Sequence, residues 1–160
     1  MVGMCMICDG YSEEDVRRVI ELNIITHGWH LLGVTPSGDE PDGPTWTYTI
    51  GMAESHALPE LVVTDLHYEK AARFLNWVGA QLVGGRSITD LAEHGIGWAP
   101  VHDIHLGGEL FCGWFDYYRT GPEDPTFVQL FPRFEIDCPS CPDFMADLSN
   151  RDELFPANRP

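Results

Sequence analysis

The order of elements along this chain predicts an α+β domain: helix, three strands, helix, strand, helix, strand. A largely antiparallel sheet of about four to five strands is expected to pack against two to three helices. Two further observations support that class. Short loops join the first three strands, which suits antiparallel neighbours. A parallel doubly wound sheet would need crossover helices between most strands and a glycine-rich phosphate-binding turn, and neither is present. The helices are expected on one side of the sheet.

Each element has a local cause. Ser12 can accept backbone hydrogen bonds as an N-cap, and Glu13, Glu14 and Asp15 suit the positive end of a helix dipole. Val16, Val19, Ile20 and Ile24 then recur at helical spacing until Gly28 supplies a stop. Positions 29–34 read as a strand, followed by a loop of Ser, Gly, Asp and Pro. Trp46, Tyr48 and Ile50 alternate with Thr45, Thr47 and Thr49, the period of two that marks a strand. A loop through Glu54, Ser55 and His56 leads past Pro59 to a third strand over 60–64.

Asp65 is the expected cap of a second helix, in which Ala71, Ala72, Phe74, Leu75, Val78 and Leu82 keep a helical period until Gly84 and Gly85. The core is expected beneath this helix. A fourth strand is expected over 98–104, with Pro100 placing it at a sheet edge or delaying its start to Val101. Over 109–118, Leu110, Phe111, Trp114, Phe115 and Tyr118 fit one helical face; the aromatic content also suits a strand, and helix is preferred. Positions 126–131 form a short apolar strand.

A length of 160 residues suits one domain, 1–160, with irregular segments at 1–10 and 133–160. No window approaches the roughly 18 apolar residues of a membrane span, and the start lacks a secretory pattern. A cytoplasmic location with reduced cysteines is therefore expected. The net charge of −16, from 25 acidic and 9 basic side chains, repels phosphate backbones and argues against direct nucleic-acid binding. Because the acids are scattered, the plain reading is a solubilising surface. Imitation of nucleic acid, to occupy a basic partner, is the alternative.

Two Cys-x-x-Cys pairs lie at opposite ends of the chain, Cys5 with Cys8 and Cys138 with Cys141. Four thiolates at this spacing are the ligand set of a tetrahedral structural zinc site, which here would clip the two termini together. A redox pair lacks its usual βαβ setting, and free thiols are the plain alternative. Cys112, among Leu110, Phe111 and Trp114, reads as a small buried hydrophobe. A histidine metal site fits poorly: His27 and His30 straddle a helix stop, and His102 and His105 would face opposite sides of a strand.

The turn from Gly51 to Glu60 is the candidate binding or catalytic region. His56 can move a proton and Glu60 can orient it or act as base, beside a strand carrying Tyr48 and Thr49. Gln129, a polar residue in the run Phe-Val-Gln-Leu-Phe, either lines the same site or faces solvent. No nucleophile is evident, because Ser55 lacks a Gly-x-Ser-x-Gly elbow. The bland reading has His56 and Glu60 satisfying backbone groups of the turn, and Tyr48 packed in the core with its hydroxyl bonded.

The segments Gly28-Trp29, Trp46-Thr47-Tyr48-Thr49-Ile50-Gly51-Met52 and His56-Ala57-Leu58-Pro59-Glu60-Leu61-Val62-Val63 resemble the bacterial domain of unknown function 4262 family. In that family a Gly-Trp segment precedes a Tyr-Thr-Ile-Gly-Leu strand and a His-Pro-Glu-Leu or His-Gly-Leu-Pro-Glu-Leu turn. Phe127-Val128-Gln129-Leu130-Phe131-Pro132 is similar to its Leu-Gln-Leu-Val-Trp-Pro segment, and Cys5-Met6-Ile7-Cys8-Asp9 to an opening common among actinobacterial members. The likeness departs after Pro132. It implies a fold and carries no activity. The expected function is a cytosolic zinc-binding module, binding or accessory, whose partner is a small molecule or a protein. A hydrolase-like enzyme using His56 and Glu60 and an acidic inhibitor mimicking nucleic acid are the alternatives.

Overall fold

The computed structural model describes residues 10–34, 45–64, 66–101, 106, 111–118 and 126–132. Helix α1 spans Glu13–His27 and opens with a reciprocal capping box: the Asp15 N–H donates to Ser12 Oγ, and the Ser12 N–H donates to Asp15 Oδ2. Gly28 closes it with φ 93°, and its N–H donates to the Ile24 carbonyl. Strand β1 (His30–Val34), strand β2 (Trp46–Ile50), the short helix α2 (Met52–His56) and strand β3 (Glu60–Thr64) follow. Helix α3 (Tyr68–Val83), a 3-10 helix (Ile88–His94), strand β4 (Ile96–Pro100), helix α4 (Cys112–Tyr117) and strand β5 (Phe127–Pro132) complete the described order.

The α+β class and the five strands agree with the sequence reading. The sheet order is β1-β2-β3-β5-β4. Adjacent strands run antiparallel except β3 and β5, which pair in parallel with Glu60 opposite Phe127 and Val62 opposite Gln129. The parallel pair is possible because α3, β4 and α4 all lie between β3 and β5 in the chain, enough for a crossover.

The helices do not lie on one side, which corrects the sequence expectation. Leu61 and Val63 pack with Phe74, Leu75, Val78 and Leu82 of α3 and with Leu91. Val62, between them, packs on the other face with Ile20 and Ile24 of α1 and with Phe111 and Trp114 at α4. Successive strand residues point to opposite faces, so both faces of β3 are covered. Every residue of β3 and β5 is buried. Continuous apolar runs such as Leu61-Val62-Val63 are the pattern of strands buried on two sides.

Other boundaries move. The segment before Pro59, read as loop, contains α2. The fourth strand starts at Ile96, well before Val101, and Pro100 ends it on the outermost strand, where a missing N–H is tolerated. The N-cap of α3 is His67, and Asp65 lies outside the described residues. The helical choice for the aromatic segment is borne out by α4. Among the described residues, no helix is long and apolar enough to cross a membrane.

Candidate functional site

Glu60 opens β3 with only 1% of its surface exposed, and four donors converge on its carboxylate. Oε1 accepts the Met52 N–H at 2.7 Å and the Thr49 hydroxyl at 3.2 Å. Oε2 accepts the Gly51 N–H at 2.9 Å and the Trp114 indole N–H at 3.0 Å. Thr49 is fixed in turn, because its hydroxyl oxygen accepts the Leu61 N–H at 2.9 Å. Gly51 is required here. Its φ is 109°, and a Cβ at that position would stand 2.7 Å from Ile24 Cγ1 of α1.

Two effects oppose each other at this carboxyl. Burial pushes it up to about 7, while hydrogen bonds from Gly51, Met52, Trp114 and Thr49 pull it down. Burial is the larger.

His56 does not join Glu60. It closes α2 on the far side of the turn, with its ring edge-on to Trp29 at 6.0 Å between centroids. Its Nε2 is buried without a hydrogen-bond partner among the described residues. A Cβ on Gly28 would stand 2.5 Å from that nitrogen, so glycine serves there both for the positive φ and for the approach of the ring. The acid and base pair expected from the sequence is therefore two separate features.

Tyr48, Glu60 and Gln129 do share one face of the sheet. Tyr48 is opposite Val62, and Val62 is opposite Gln129. The Tyr48 ring is fully buried against Phe111 and Phe127, its hydroxyl accepts the Gly113 N–H at 3.1 Å, and burial pushes that hydroxyl well above the usual phenol range. Gln129 is also fully buried, and its amide donates to Thr64 Oγ1 at 3.3 Å, so the solvent-facing alternative is excluded.

The sequence reading placed Thr49 and Gly51 beside the candidate turn without pairing them to Glu60, and it missed Met52 and Trp114 there. Gly51 carried a signal, since a glycine closing a strand marks an unusual backbone angle. Trp114 had none, being 54 residues from Glu60. Cys112 is exposed, correcting the buried reading: it starts α4 on the side away from Trp114. Cys5, Cys8, Cys138 and Cys141 lie outside the described residues, as do His102, Asp103 and His105. Among the described residues, no group of three or more His, Cys, Asp or Glu could hold a metal.

A family model described as Domain of unknown function (DUF4262) matches residues 23–131. The chain belongs to this family. The matched span contains Gly28, Thr49, Gly51, Met52, His56, Glu60 and Trp114, so the whole hydrogen-bonded knot and the His56 seat lie within the DUF4262 domain. No curated protein and no solved structure matches the chain.

Proposed function

We propose that this DUF4262 chain is a binding or accessory module, braced by a structural zinc ion on Cys5, Cys8, Cys138 and Cys141, and that it does not use Glu60 as a hydrolytic base. One observation supports the reading over the hydrolase alternative: all four donors around Glu60 belong to the protein, and the group is 1% exposed. A general base must lie within hydrogen-bond reach of the proton it removes. Here both oxygens are already engaged, and His56 has no bond to either.

His56 is the member of the candidate set left for a ligand, and because its Nε2 is buried against Gly28 the ring would have to turn out of that seat to meet one. Four thiolates on one zinc ion would form a closed structural set with no open position for substrate. Two measurements test this reading. His56→Ala should leave the melting temperature near that of the wild type and abolish no turnover on a panel of ester and amide substrates; loss of turnover in a folded variant would restore the enzyme. Elemental mass spectrometry of untagged protein should find about one zinc per chain, lost in the double variant Cys138→Ser, Cys141→Ser. Metal-free protein would overturn the zinc clip.

A further inference from the structure

Helix α1 is apolar on two sides. Ile20 and Ile24 turn inward and belong to the cluster that holds Val62, Phe111 and Trp114. At about 100° per residue, Leu22 projects about 160° away from both, and Val19 and Ile25 lie about 60° to either side of it. Leu22 is 61% and Ile25 74% exposed, and Val19 and Tyr11, the latter just ahead of the helix, are exposed as well. A surface helix ordinarily carries polar residues on that side. Val19, Leu22 and Ile25 also stand three residues apart, which makes them a ridge of the kind that packs into the groove of another helix.

Charge is uneven about the sheet. On the α3 side the described charges balance, Glu69, Asp90 and Glu93 against Lys70, Arg73 and Arg86. On the α1 and α4 side Glu13, Glu14, Asp15, Glu21, Glu54 and Asp116 stand against Arg17 and Arg18 among the described residues. Both cations are engaged within the molecule. Arg17 lies over the Tyr117 ring and donates to the carbonyls of Asp116 and Tyr117 at 3.1 and 2.7 Å, and Arg18 is close enough to Asp15 to favour its ionised form. Glu14 and Glu21 fall on one flank of the ridge, about 80° and 100° from Leu22. The ridge therefore lies on the acidic side of a chain whose net charge is −16. Such a field repels phosphates, anionic lipid and a second copy of the chain, and it attracts cations.

We propose that the outward face of α1 docks a helical segment of another protein, apolar along one side and carrying Lys or Arg beside that stripe. Val19, Leu22 and Ile25 supply the ridge, and Glu14 and Glu21 meet the cations at its rim. This rests on the reading of the chain as a binding module but uses neither the zinc clip nor His56, so its failure leaves both to their own tests.

The probe is a synthetic helical peptide of about 18 residues, Leu along one face and Lys on the other, titrated into the full chain by fluorescence anisotropy. It should bind at least about tenfold more tightly than a scrambled peptide of the same composition and than a Leu and Glu counterpart, and added salt should weaken it. The double variant Leu22→Ser, Ile25→Ser, which leaves the charge unchanged, should lose at least about tenfold. Val83→Ser, at an exposed apolar residue of α3, should lose nothing. Glu14→Gln with Glu21→Gln should weaken binding several-fold and flatten its salt dependence. No binding by the wild type, equal binding of the scrambled peptide, or an unchanged affinity in the Leu22 and Ile25 variant overturns the proposal. So does a wild-type dimer in sedimentation equilibrium that this variant dissociates, because the occupant is then a second copy. If the variant does not fold, amide shifts of the wild type on adding the peptide decide: changes centred on α1 support the proposal, and changes centred on α3 or spread over both helices overturn it.

Discussion

Beneath α3 the sheet presents Leu61, Val63, Val128 and Leu130 to Phe74, Leu75, Val78 and Leu82, whereas the opposite face presents Tyr48, Glu60, Val62 and Gln129 to α1 and α4. The first face is held chiefly by apolar burial, with the Trp29 indole donating to Asn76 at its margin, and α3 is long enough to supply a continuous apolar stripe. The second is covered by a short helix and must be fixed by directed bonds, each of which fails if one partner is lost. Burial without direction tolerates changes of solvent; a buried carboxyl makes its face sensitive to pH.

The largest effect should come from the apolar face. Phe74→Ala opens a cavity under α3 and should cost about 3–5 kcal/mol, equally at pH 5 and pH 8, read from denaturant midpoints. A clear pH dependence of that loss would blur the contrast between the faces. Trp114→Phe should cost about 2–3 kcal/mol, since it removes indole surface and leaves Glu60 Oε2 with Gly51 alone. It should also move the proton-linked part of stability to higher pH, because a donor that lowers Glu60 has gone. An unchanged pH profile would show that the indole bond has no hold on the carboxyl.

Ala57 offers a gain. It caps α2 with φ 55°, a left-handed angle that favours glycine, at the position where the family turn His-Gly-Leu-Pro-Glu-Leu has one. Ala57→Gly should stabilise by about 0.5–1 kcal/mol in thermal or denaturant unfolding, and a loss would mean that the Ala57 methyl packs favourably. The smallest change is expected outside both faces. Leu22 is 61% exposed on α1, so Leu22→Lys should shift stability by less than about 0.5 kcal/mol. A larger loss would reveal a partner for that helix.

What the sequence made legible follows the range of the interactions. The N-cap at Ser12, the stop at Gly28 and the limits of β3 are set by neighbours a few residues apart, and they could be read directly. The two-sided burial was written in the runs Leu61-Val62-Val63 and Phe127-Val128-Gln129-Leu130-Phe131, but the Thr and aromatic alternation of β2 is the pattern of a strand with one polar face, and the helices were expected on one side. That alternation misleads because Thr47 and Thr49 are buried, Thr49 with its hydroxyl between the Leu61 N–H and Glu60. His56 and Glu60 lie close in sequence and were paired on that ground. The turn sends them apart, since α2 carries His56 toward Gly28 while Glu60 folds back on Gly51 and Met52. Trp114 reaches Glu60 only through the sheet, so no local pattern announces it.

The most direct test of Glu60 as the buried ionisable centre of its face is stability against pH in the wild type and in Glu60→Gln. Raised to about 7, Glu60 contributes stability that is fully present below about 4.5 and lost as pH rises through 7, worth up to about 3 kcal/mol. His30, beside Asn23 and lowered by burial from 6.5 to about 4, contributes stability that is present above 6.5 and lost as pH falls through 4. The two slopes oppose each other, so wild-type stability should be nearly level from pH 4.5 to 6.5. Asp15 and Asp90, lowered by their cap hydrogen bonds, act below 3.8 and outside this window. Glu60→Gln should remove one slope and leave a protein that loses stability steadily on acidification across that range. Parallel curves for the two proteins would contradict the account.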